Sequence, residues 1–272
     1  MIRRLSEALS PWSDIWVRNG WRVQIHCATR QTRTLDAQGN KVASGSPEDC
    51  IVVAERSAPR HHVQHAVVLL HGIWDSPRLM VPLADALEAR GWAVANAAYP
   101  SRGLSVADHG LCVSRVARSL ADGGARDVSF IGFSLGGLVA RSAMANAQKD
   151  GWNVGRLVLI GSPADGSIIA KCFQHFPGYR IVVGRCGADV TPVGAGKVPK
   201  PRCQGVMVIA GGTGSRGYNP FLPGDNDRLI AVEETRIRDY ETEFLLVNSI
   251  HKLLPGQPKT ISACCDFLSR ID

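Results

Sequence analysis

A serine flanked by glycines carries the strongest chemical signal in the chain. In Phe130-Ile131-Gly132-Phe133-Ser134-Leu135-Gly136-Gly137-Leu138, an apolar run enters Gly-x-Ser-x-Gly and leaves it as a helix-forming pattern. Such a strand-to-helix turn projects a hydroxyl from a tight bend, and the small residues at 132 and 136 let neighbouring backbone pass close by. The helix that follows favours negative charge at its first turn. The chemistry this implies is attack by Ser134 on an acyl carbonyl.

A serine hydroxyl needs a general base, and His251 stands just after the apolar run 244–247, where a strand would pass into a loop. The competing histidines are less well placed. His61, His62 and His65 precede the first buried strand, His26 sits in an N-terminal β-rich stretch, and His109 and His175 come too early for the serine, acid, histidine chain order of such sites. The orienting acid should lie in a loop before His251, which leaves Asp225, Asp227, Glu233 and Glu234; Asp227 is preferred and Asp225 is second. Upstream, Val67-Val68-Leu69-Leu70-His71-Gly72-Ile73 ends a buried strand in a His-Gly dipeptide. The backbone N–H groups of Ile73 and Leu135 are therefore assigned to an oxyanion hole, where losing one donor costs about a hundredfold or more in rate. His71 itself is expected to brace this loop by hydrogen bonding.

The elements that must position these groups follow from hydrophobic periodicity. Residues 1–20 read as a short amphipathic helix and turn. Two β-rich stretches, 21–36 and 50–56, follow as an antiparallel start to the sheet, separated by turn signals at Gln38-Gly39-Asn40 and Gly45-Ser46-Pro47. From residue 65 the texture becomes buried strand, helix, buried strand. Strands are expected at 66–70, 92–98, 128–133, 157–160, 206–210 and 244–247, and helices at 80–90, 106–120, 138–148 and 260–268. This alternation predicts parallel βαβ units, hence a mostly parallel central sheet flanked by helices. Between 162 and 204 regular periodicity is lost, and so long an excursion reads as a lid over the site or as a structural flap.

With 272 residues, one large domain is expected, residues 1–64 forming an N-terminal extension. The composition, 45% hydrophobic and 20% charged, is that of an ordinary globular chain. The net charge of +7 comes from scattered Lys and Arg without a dense basic run, which argues against nucleic-acid binding while leaving a mild preference for anionic surfaces or substrates. Arg102 and Arg141, near the expected mouth and the helix after Ser134, leave substrate charge undecided. Eight cysteines show neither a Cys-x-x-Cys pair nor zinc spacing, so no metal is expected and most thiols should be reduced; a bridge among Cys172, Cys186 and Cys203 is the alternative. Polar residues interrupt the first fourteen positions and no apolar run of about 18 is present, so neither a signal peptide nor a membrane span is expected, and a cytoplasmic location follows.

The run Gly224-Asp225-Asn226-Asp227-Arg228-Leu229-Ile230-Ala231-Val232-Glu233-Glu234-Thr235 resembles the acid loop of bacterial α/β-hydrolase esterases and lipases. Leu70-His71-Gly72, Tyr99-Pro100-Ser101-Arg102 and the Ser134 turn match the same pattern, over residues 65–270. The sequence departs from it at Arg228, where glycine is common. The resemblance implies an α/β-hydrolase fold and hydrolysis of a small-molecule or lipid carboxylic ester through a Ser134–His251–Asp227 triad and an acyl-enzyme, with no cofactor. Its single His-Gly-Ile oxyanion segment resembles that of enzymes acting on medium or longer acyl chains. Acyl transfer or thioester hydrolysis on the same scaffold, or a noncatalytic binding module, are the alternatives.

Overall fold

A computed structural model describes residues 10–59 and 64–270. Six parallel strands form the central sheet: β5 (His65–Leu70), β6 (Ala93–Ala97), β7 (Asp127–Phe133), β8 (Val154–Ile160), β9 (Gly205–Gly212) and β10 (Glu243–Asn248). Their spatial order is β6-β5-β7-β8-β9-β10. The order reverses beside β5, so the loops leaving β5 and β7 open onto one crevice at the carboxyl ends of the strands, where α/β sheets bind ligands.

The central strands read as continuous apolar runs because both faces are covered. Successive side chains go to opposite sides: Val68, Leu70, Phe130 and Leu159 enter one core layer, while Val67, Leu69, Ile131 and Ile160 enter the other. The first layer is closed by two helices, α3 (Val106–Asp122) and α4 (Leu135–Met144); the second by α2 (Val81–Glu88) and α8 (Pro258–Leu268). The helix expected at 138–148 begins at Leu135, directly after the serine, and gives way at Met144 to a separate short turn, Ala147–Asp150.

The N-terminal expectations need correction. Of the helix expected over 1–20, residues 1–9 lie outside the described residues, and Trp12–Arg18 is strand β1. The stretch 21–36 divides into β2 (Trp21–His26) and β3 (Thr32–Leu35), which with β1 and β4 (Lys41–Gly45) make an antiparallel sheet separate from the central one. A buried carboxylate joins the two sheets. Asp14 pairs with Arg22, accepts from Gln24 Nε2 at 2.8 Å and from Ala98 N at 2.7 Å, and its own N–H donates to Ala98 O at 2.9 Å. This covers the end of edge strand β6. Residues 50–56 are not a strand but part of helix α1 (Pro47–Ser57). The Ser46 side chain accepts from Asp49 N, Pro47 occupies the first turn and Glu48 and Asp49 face its positive end, so the cap outweighs the β-branched run inside it.

The excursion at 162–204 is folded into three short helices, α5 (Ile168–Phe173), α6 (Tyr179–Val183) and α7 (Pro192–Ala195). It is fastened at several points. Arg141, buried on α4, donates to the carbonyls of Ala164 (2.7 Å), Val198 (2.7 Å) and Pro199 (3.0 Å), and Asp189 accepts from Val106 N at the start of α3 at 2.8 Å. The Cys186 thiol donates to Ser101 O at 2.9 Å and Cys203 to Gly205 O at 3.3 Å, each as a free thiol. Among the described residues no helix is long and apolar enough to cross a membrane.

Candidate active site

Ser134 sits between β7 and α4 with φ 54° and ψ −123°, a left-handed conformation that a non-glycine residue holds only where its surroundings enforce it. The enforcement is visible at the flanking glycines. A Cβ on Gly132 would lie 2.5 Å from the Gly136 backbone, and one on Gly136 would lie 2.4 Å from Leu70 O, so the turn exists only with both positions bare. The Ser134 N–H donates to Ile160 O at 2.9 Å, tying the turn to the neighbouring strand.

His251 follows β10 and opens a 3₁₀ turn, His251–Gly256, and its imidazole joins the other two predicted residues. Nε2 lies 3.0 Å from Ser134 Oγ and Nδ1 lies 2.7 Å from Asp227 Oδ2. The His251 N–H also donates to Asp227 O at 2.8 Å, so two bonds fix the strand end against the acid loop. Asp227 is wholly buried, and its Oδ1 accepts from Leu229 N (3.0 Å) and Ile230 N (2.8 Å), which leaves Oδ2 for the imidazole. Asp225 points elsewhere: its carboxylate accepts from the backbones of Thr213, Gly214 and Asn226, and these bonds hold its pKa below the usual carboxylate value against the effect of partial burial. Arg228, the departure from the family pattern, sits at φ 88°, a conformation that glycine adopts freely and arginine does not.

Ile73 and Leu135 both line the cavity onto which Ser134 opens. Among the described residues neither N–H meets an intramolecular acceptor, and Leu135 is the first residue of α4. The loop carrying Ile73 lies directly against the serine: a Cβ on Gly72 would be 3.1 Å from Ser134 Cβ. Several contacts pin it. His71 Nδ1 is 2.9 Å from Gly72 O, the His71 and Tyr99 rings stack at 4.3 Å, and Tyr99 OH donates to His71 O. Trp74 N donates to Ser101 Oγ at 3.2 Å, and the Arg102 guanidinium lies 3.7 Å over the Trp74 ring. Burial drives the His71 pKa down to about 4, so its imidazole is neutral at neutral pH. Arg102 and Arg141 are thus occupied with the protein's own aromatic ring and carbonyls.

The cavity measures about 310 Å³. Its walls are largely apolar: Ile169, Ala170, Tyr179 and Val183 from the 162–204 segment meet Leu229 and Ile230 from the acid loop. Three features were not legible beforehand. Lys252 and Asp75 form an ion pair at the rim. Glu234, considered above as a triad acid, is instead a buried tie: it accepts from Ala231 N at 2.6 Å and from Ile168 N at the start of α5, and burial raises its pKa. Tyr99 braces the His71 loop; its place in Tyr99-Pro100-Ser101-Arg102 was the available signal, but the partner 28 residues away was not.

Comparisons with known proteins bear on the family and the fold. The model of the alpha/beta hydrolase family matches residues 67–242. Among solved structures, the mature lipase BlEst2 of Bacillus licheniformis superposes with a TM-score of 0.61 at 18% identity, over 78% of this chain and 96% of that one. The esterase Pf2001 of Pyrococcus furiosus gives 0.52 at 20% identity, over 76% and 83%. Among curated proteins no relative matches. A family match spanning most of the chain, on a six-stranded parallel sheet with the serine turn at its switch point, places this chain in the alpha/beta hydrolase family.

Proposed function

We propose that the protein hydrolyses carboxylic esters through a triad of Ser134, His251 and Asp227. The reading rests on one observation above all. An unbroken hydrogen-bonded chain runs from Asp227 Oδ2 through His251 to Ser134 Oγ, at 2.7 and 3.0 Å, and its serine end opens on an apolar cavity. An aspartate on Nδ1 holds the imidazole with its free lone pair on Nε2, facing the serine proton. As Ser134 Oγ bonds to the ester carbonyl carbon, His251 Nε2 takes the hydroxyl proton. The carbonyl oxygen gains the charge, met by the Ile73 and Leu135 N–H groups and the first turn of α4. His251 then gives its proton to the departing alkoxide, leaving Ser134 acylated. Water, deprotonated by the same nitrogen, reverses the sequence and releases the acid. Asp227 balances the imidazolium in each half-cycle.

The apolar walls suit an acyl chain, and the similar folds named lipase and esterase favour an ester over other acyl compounds. Nothing in this cycle calls for a cofactor. The test is release of nitrophenol from p-nitrophenyl esters of increasing acyl length by wild type and Ser134→Ala. Wild type should turn over at least one ester, and Ser134→Ala should lose at least a thousandfold. Equal rates for the two, or inactivity of folded wild type on every ester, would overturn the reading.

A further inference from the structure

Helices α5 and α6 present two apolar faces. Ile169, Ala170, Tyr179 and Val183 turn toward the cavity, yet Phe173, Phe176, Ile181 and Val182 of the same segment face solvent, with Phe176 62% and Ile181 76% exposed. The Phe173 and Phe176 rings touch each other, centroids 5.4 Å apart. A short surface helix ordinarily shows polar residues to water, and large clustered side chains left bare mark a surface that something covers.

Charge identifies the occupant. Residues 168–187 contain Lys171, Arg180 and Arg185 and no Asp or Glu, and the whole chain carries +7. A second copy docking face to face would set these cations against themselves, because a two-fold interface pairs the same patch with its own image. A segment that pairs exposed apolar side chains with basic residues and no acidic one is the complement of a bilayer surface with anionic headgroups, which admits the first and attracts the second. We propose that the outer face of α5 and α6 docks on an anionic lipid surface, with Phe173, Phe176, Ile181 and Val182 entering the headgroup boundary. The attachment is reversible, since one small apolar patch with three basic residues falls short of a stable anchor.

The experiment is co-sedimentation of Ser134→Ala, used so that no ester is consumed, with vesicles of phosphatidylcholine alone or of phosphatidylcholine with one third phosphatidylglycerol. The readout is lipid binding, so it stands or falls separately from the proposed hydrolysis. The expected result is binding to the anionic vesicles at least tenfold tighter than to the neutral ones. That binding should be lost in 1 M salt, where the screening length falls to about 3 Å. It should also weaken at least tenfold in Phe176→Ser/Ile181→Ser carrying Ser134→Ala, with circular dichroism matching its parent. Three results would overturn the proposal: binding to neither vesicle, equal binding to both, or undiminished binding by the surface variant. A dimer in ultracentrifugation that Ile181→Ser dissociates would also overturn it, because the occupant would then be a second copy.

Discussion

Acid should destabilise this fold through two histidines that take no proton in the reaction. His71 and His109 flank Tyr99, His71 stacked on its ring and His109 meeting it edge-on at 4.9 Å. Both are buried, and among the described residues neither nitrogen of His109 has a hydrogen-bonding partner. Desolvation lowers the pKa of His71 from 6.5 to about 4 and of His109 from 6.5 to about 3, the latter with help from His71 nearby. Because the folded values lie below the unfolded ones, the unfolded chain binds more protons in acid. The stability is therefore whole above about pH 6.5 and is lost as pH falls through the window below it. Between pH 7.5 and 5.0 each histidine should remove about 2 kcal/mol, and the pair about 4 kcal/mol, a large share of a typical folding free energy. His109→Leu deletes one titration and two unpartnered nitrogens. Urea unfolding followed by the fluorescence of the six tryptophans, at both pH values, should show the acid loss in the variant smaller by about 2 kcal/mol. An equal loss in both proteins, at equal m-values, would refute the reasoning.

Three further outcomes follow from the site. Arg228→Gly should relieve the backbone at φ 88° and raise stability by about 1 kcal/mol, seen as a Tm higher by roughly 2–4 °C. Tyr99→Phe removes the donor to His71 O and loosens the loop that carries Ile73; kcat should drop about tenfold, with KM nearly unchanged. Asp227→Asn should cost roughly a thousandfold or more in kcat, whereas Asp225→Asn, which disturbs only bonds to the 213–214 turn and Asn226, should keep kcat within about tenfold while lowering the Tm.

The parallel half of the fold was legible because strands buried on both faces must be apolar throughout, as Val67 to Leu70 and Phe130 to Phe133 are. The Ser134 turn was legible for a steric reason: its glycines are dictated by backbone contacts, so they survive in the sequence as a pattern. The N-terminal part was misread where local and tertiary signals conflict. Ile51-Val52-Val53 has strand propensity, and only the Ser46 cap shows it to be helical. In β1 the alternation is broken by a bulge between Asp14 and Trp16 and by a buried carboxylate whose partners come from β2 and from Ala98, just past the end of β6, which no local window contains. Asp225 and Asp227 could not be separated by position alone. What separates them is which carboxylate the loop's own N–H groups leave one oxygen free to meet His251.

The central claim is that Ser134 becomes covalently acylated, and an active-site phosphonate tests it most directly. Wild-type protein treated with a fluorophosphonate and analysed by peptide mass spectrometry should carry one adduct, on Ser134. Labelling should be absent in Ser134→Ala and slowed at least a hundredfold in folded His251→Gln. An adduct on another residue, or labelling of Ser134 at the same rate without His251, would contradict the account.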